Sequence, residues 1–126
     1  MILSDIIETK TMNSWLQEDG IIHSEIKKNS IIRIPEFIEN FDIQFQEEII
    51  KRPVLMDISE LIYIDKESRK YAAEHIPNTI TAFALLAQSD LSKAIANMYI
   101  KFDKPPIPTK IFYSEEEAID WLKQFV

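Results

Sequence analysis

The stretch Val54-Leu-Met-Asp-Ile-Ser-Glu-Leu-Ile-Tyr-Ile-Asp-Lys-Glu-Ser-Arg69 decides the fold class. With Pro53 it opens on a short, nearly continuous apolar run ending at Ile58, the pattern of a strand covered on both faces in a parallel sheet. A polar loop then leads to Asp65, whose carboxylate can accept from the free N–H groups of a helix running from Lys66 to about Glu74. Pro77 stops that helix, and Thr79 to Ala87 supplies a second buried strand. Strand, helix and strand in this order form a βαβ unit.

The pattern extends in both directions. Upstream, Ile34, Phe37, Ile38, Phe41, Phe45 and Ile49 recur at helical spacing after a helix-opening Pro35, which predicts an amphipathic helix ending near Ile50. Before it, Glu8 to Leu16 and Ile21 to Ile26 flank Glu18-Asp19-Gly20, where Asp-Gly can take the positive φ of a tight turn between antiparallel strands. Downstream, Ser89 caps a helix whose stripe is Leu91, Ala94, Ile95, Met98 and Phe102, and the proline-rich segment Asp103 to Pro108 is a rigid connector. Thr109 to Tyr113 is the last strand, and Ser114-x-x-Glu117 reads as a capping box for a helix with Ala118, Trp121, Leu122 and Phe125 on one face. The whole of 1–126 thus reads as one α/β domain: an opening antiparallel hairpin, then a mainly parallel sheet with four alternating helices near 34–50, 66–75, 89–102 and 114–125.

Composition bounds the chemistry. Forty-six per cent of the 126 residues are hydrophobic, enough for a real core. There is no cysteine, which excludes disulfides, thiolate metal sites and a nucleophilic thiol. The single glycine, Gly20, excludes a phosphate-cradling or dinucleotide-binding loop. A net charge of −7 argues against nucleic acid as a partner, with 12 acids and 6 bases in residues 1–60 against 9 and 8 in residues 61–126. No run has the length of a signal peptide or a membrane span, and the sequence reads as cytoplasmic.

Functional signals are sparse. His23 and His75 read as isolated, without ligands at helical spacing, so neither a metal nor a histidine base is expected. Glu115-Glu116-Glu117 lies in a first helical turn, where acids favour the helix dipole. Lys27-Lys28, Lys51-Arg52 and Lys66-x-x-Arg69-Lys70 lack interleaved aromatics and read as solvated surface. In an open α/β sheet, ligands meet the carboxyl ends of parallel strands, where Asp57, Ser59, Asp65 and Ser68 would lie. The same residues equally suit purely local work in turns and caps.

The pattern Leu55-Met-Asp-Ile-Ser-x-Leu-x-Tyr-Ile-Asp65 resembles the strand and loop of STAS domains of the SpoIIAA, anti-sigma-factor-antagonist type, and of a bacterial SpoIIAA-like group similar in shape to STAS and CRAL-TRIO folds. The likeness continues through Ser68-Arg-Lys-Tyr-Ala, Ala82-Phe-Ala-Leu-Leu, Ser92-Lys-Ala-Ile-Ala-Asn-Met-Tyr, Lys104-Pro-Pro-Ile-Pro-Thr-Lys-Ile-Phe112 and Glu117-Ala-Ile-Asp-Trp-Leu122. In antagonist STAS domains the second serine of a D-S-S-G motif is phosphorylated. Here Lys66 and Glu67 stand at the two serine positions and Ser68 at the glycine, so the resemblance implies the scaffold without the usual switch.

Two functions follow as expectations. The first is a non-enzymatic interaction or regulatory module, needing no cofactor or metal, that meets a protein partner through Asp57, Ser59, Asp65, Glu67, Ser68 and Arg69. The alternative, which the CRAL-TRIO likeness implies, is a carrier or sensor of a small lipid-like ligand, with Ile95, Met98, Tyr99 and Phe102 at a hydrophobic pocket. A broad apolar helix of this kind serves equally as core or as a homodimer contact.

Overall fold

In a computed structural model, which describes residue 2, residues 4–45 (backbone alone for 43–45) and residues 50–126, six strands form one sheet. They are β1 (Ile7–Glu8), β2 (Met12–Leu16), β3 (Ile22–Ile26), β5 (Arg52–Asp57), β7 (Ile80–Leu86) and β8 (Thr109–Phe112), in that spatial order. Between them lie β4 (Ser30–Ile32), α1 (Ile34–Phe45), β6 (Leu61–Ile64), α2 (Lys66–His75) and α3 (Asp90–Met98), and α4 (Glu115–Leu122) follows the last strand. The expected end of the first helix near Ile50 cannot be traced through 46–49, which are outside the described residues.

The hairpin and the parallel region meet at β3, which pairs antiparallel with β2 and parallel with β5. β5–β7 and β7–β8 are also parallel, so the expected architecture stands. At the hairpin turn Gly20 adopts φ +82°, a conformation that costs glycine little, and its N–H bonds the Gln17 carbonyl at 3.0 Å. Pro53 sits fully buried in a central strand although it has no N–H for the ladder. The register of β5 against β7 shifts between Arg52 and Val54, which absorbs the missing donor.

Alternation along the strands separates two cores. Val54, Phe83 and Leu85 join Ala72 of α2 and Ala96 of α3 on one face, with Phe37 and Phe41 of α1 packed against them. Leu55, Ala84 and Leu86 join Ala118 and Leu122 of α4 on the other. The cause is topological: the strand order advances in one direction, and crossovers of one hand then place α1, α2 and α3 on the same face.

Three expectations need correction. The run Glu8 to Leu16 is not one strand but divides between β1 and β2, which pair antiparallel. The polar stretch that leads to Asp65 is not a loop throughout, because Leu61–Ile64 is a strand that pairs in parallel with β4 in a separate two-stranded sheet. The last turn of the third helix is also different: after Met98 it widens into a π-helical turn over Tyr99–Asp103, ended by Lys104 at φ +46°. At the caps, the reciprocal box forms at Ser89 and Ser92, while Ser114 Oγ accepts from Glu117 N–H at 3.5 Å.

Candidate functional site: an apolar cavity under three helices

The sheet order contains no reversal, so the main sheet lacks the crevice that forms where strand order turns back. Space opens instead between the sheet and its three crossover helices. A cavity of about 100 Å³ is walled by Val54 and Phe83 from the sheet, Phe41 from α1, Ala72 from α2, and Ile95 and Ala96 from α3. Alanine at positions 72 and 96 explains the room, since both side chains are buried and neither carries the volume to fill the gap left by its neighbours.

Asn40, Arg69 and Tyr99 are the residues with polar side chains among those lining the cavity. Asn40 Nδ2 donates to Thr11 Oγ1 at 2.7 Å. Arg69 Nε donates to Asp103 Oδ2 at 3.0 Å and Arg69 Nη1 to the Ile64 carbonyl at 3.3 Å, so its charge is neutralised inside the protein. Tyr99 is 6% exposed, and its hydroxyl has no hydrogen-bond partner among the described residues. Burial, and then the charge of Asp103, push the phenol far above its ordinary pKa, so it remains an O–H donor.

Of the other pocket residues expected from the sequence, Ile95 lines the cavity with Tyr99, whereas Met98 (37% exposed) and Phe102 (67% exposed) face outward. The expected contact residues are dispersed. Asp57 Oδ1 accepts from Ser59 N–H at 2.9 Å, and Ser59 Oγ accepts from Gln88 N–H at 3.1 Å, which laces the end of β5 to the end of β7. Asp65 caps α2 through Ser68 N–H at 2.8 Å and also accepts from Ile34 N–H at 3.0 Å. Burial alone would raise its pKa, but hydrogen bonds from Ser68 and Ile34 and the charge of Arg33 hold the carboxyl below the usual range. Ser68 is completely buried, and Glu67 is exposed beside it.

Residues 14–126 match the profile of a family described as Domain of unknown function (DUF7793). The chain belongs to that family. Among solved structures, the DUF7793 fold is similar to an uncharacterized DUF3478-family protein with a SpoIIAA-like fold from Shewanella loihica PV-4, at a TM-score of 0.60 and 19% identity, over 96% of this chain and 93% of that one. The expected SpoIIAA-like fold is therefore shown. No curated protein matches the chain.

Within this DUF7793 domain, no described helix is long and apolar enough to cross a membrane, and no group of three described His, Asp or Glu side chains is placed to hold a metal ion. His23 is not isolated, which corrects the expectation from its sequence neighbours: Nε2 lies 3.3 Å from Asp19 Oδ2 across the hairpin turn, and its ring stacks on Trp15. Asp19 stands four residues earlier, but that spacing reads as helical and the contact is made by a turn. Sequence reasoning also missed Ala72 and Asp103. A small residue on a buried helix face was the available signal for the first.

Proposed function

We propose that this DUF7793 protein is a non-enzymatic SpoIIAA-like module that holds a small apolar ligand between its sheet and its crossover helices. The observation that carries the reading is the cavity of about 100 Å³ whose walls are almost wholly hydrocarbon. Apolar cavities take up small hydrocarbons, because the ligand restores the dispersion contacts that the walls lack. The serine switch of the STAS likeness is not part of the proposal, since Ser68 is enclosed and Glu67 occupies the neighbouring surface position.

The test is a two-dimensional NMR titration with n-hexane, accompanied by native mass spectrometry of freshly purified protein. Saturable shifts at cavity residues are expected in the wild type, and Ala72→Leu, which fills the space, should abolish them without unfolding the protein. A wild type that shows no saturable shifts overturns the reading.

A second reading, recognition of a protein partner, is favoured by Ile62 and Tyr63, which stand exposed on β6 just before the exposed Glu67. Exposed apolar side chains rimmed by charge are a usual feature of contact surfaces. Under this reading, Tyr63→Ser and Glu67→Ser lose a partner retained by the wild type while keeping its thermal stability. A homodimer is the special case that native mass spectrometry reports directly.

A further inference from the structure

The cavity is not apolar at every point of its wall. Tyr99 lines it, is more than nine-tenths buried, and carries a hydroxyl without a partner among the described residues. An unsatisfied buried donor is costly, and native proteins keep few of them. A water molecule needs about three polar partners to be held. The other polar side chains of the wall are already engaged, Asn40 Nδ2 with Thr11 and two N–H groups of Arg69 with Asp103 and the Ile64 carbonyl. An unpartnered donor in a largely hydrocarbon wall suits an apolar molecule with a single oxygen acceptor.

Charge narrows the class further. The guanidinium of Arg69 is already neutralised by Asp103, with the two side chains 14% and 9% exposed. An incoming carboxylate would meet the Asp103 carboxylate in a poorly solvated space with no free cation among these wall residues to offset it. A ketone, aldehyde or ester oxygen has no such penalty and accepts well from a phenol O–H.

We propose that the cavity selects neutral, carbonyl-bearing hydrophobic molecules through Tyr99, and discriminates against the corresponding carboxylates. This rests on the apolar-ligand reading above and adds the polar end of the ligand. The volume is about two-thirds of the roughly 150 Å³ of a cavity that admits benzene, and the space is partly open to solvent, so probes of no more than about six carbons are suitable.

The experiment compares 2-hexanone, n-hexane and hexanoate at pH 7.5 by NMR titration against wild type and Tyr99→Phe. Tyr99→Phe should weaken 2-hexanone roughly three- to tenfold and leave n-hexane unchanged, as loss of one hydrogen bond requires. Hexanoate should bind the wild type at least about tenfold more weakly than 2-hexanone. The ligand-free variant should melt no lower than wild type, because the hydroxyl that it lacks had no partner to lose. An unchanged 2-hexanone affinity in Tyr99→Phe, or hexanoate binding as tightly as the ketone, overturns the proposal while n-hexane binding preserves the apolar site. If no probe binds the wild type, the apolar-ligand reading fails first and takes this one with it.

Discussion

The carboxylate of Asp65 reaches the backbone N–H of Ile34, 31 residues earlier in the chain, at 3.0 Å, while its other oxygen accepts from Ser68 N–H at 2.8 Å. One side chain thus caps the amino ends of both α1 and α2. Asp65 also donates its own N–H to the Ile32 carbonyl at 3.1 Å, which joins this double cap to the end of the β4–β6 pair. The two helices that roof the cavity from this side are therefore aligned by a single residue.

Asp65→Asn keeps one acceptor and places an amide donor against the other N–H. A loss of about 1 kcal/mol at pH 7 is expected, in the lower part of the capping range because the carboxylate is partly solvated. The folded-state pKa is lowered, so this stability is fully present above the unfolded value of about 4 and is lost as pH falls through the folded value. The difference between wild type and variant should therefore shrink below about pH 4. Urea titrations at pH 7 and pH 3 check this, and a constant difference would count against the double cap.

Lys104 takes φ +46° where the π-helical turn ends and Pro105 follows. A side chain in this left-handed region costs about 1 kcal/mol that glycine does not incur, offset in part by glycine's freer unfolded chain. Lys104→Gly should leave stability unchanged or raise it by up to about 1 kcal/mol. Gly20 is the opposite case: a Cβ there would lie 2.7 Å from Val126 Cγ1 and keep the positive φ. Gly20→Ala should cost about 1 to 2 kcal/mol, and thermal melts of the two variants moving in the same direction would contradict the backbone argument.

In α4, Leu122 is completely buried against Leu55 and Ala84, whereas Trp121 is half-buried between Phe112 and Phe125, with ring centroids at 5.5 and 5.0 Å. Leu122→Ala should cost about 2 to 5 kcal/mol through lost burial and the space left behind. Trp121→Ala should cost less, because part of the indole already faces water and its neighbours can move in. Denaturant midpoints in the reverse order would show that the aromatic cluster, and not the leucine, anchors the helix.

The elements legible in the sequence are those whose signal is local. Pro53 to Leu55 and Ala82 to Leu86 are buried on both faces and belong to nearly continuous apolar runs, and Asp65, Ser89 and Ser114 announce helix starts within a few residues. β4 and β6 escaped because they are three and four residues long, with Ile31, Ile62 and Tyr63 turned outward. Their pairing, Ser30 with Leu61, is long-range and leaves no period in either segment. The candidate site was half legible for the same reason. Tyr99 stood out as an apolar-face residue off the main stripe of its helix. Nothing near Arg69 in sequence points to Asp103, 34 residues away, or to the second bond that Asp65 makes with Ile34.

That long-range pair yields the last expectation. Arg69 and Asp103 join α2 to the π-helical turn beside the cavity, at 3.0 Å and almost without exposure to solvent. Removing either partner leaves the other as an uncompensated buried charge, which typically costs about 3 to 5 kcal/mol. Removing both in favour of apolar side chains of similar length eliminates the desolvation penalty together with the attraction, and such replacements are often neutral. Arg69→Met and Asp103→Leu should therefore each destabilise the protein by about 3 kcal/mol, while the double variant recovers most of that loss. A double-mutant cycle in urea measures the coupling. Strictly additive losses would mean that the two groups are solvated separately in solution, and that Arg69 is free to receive an anionic ligand beside Tyr99.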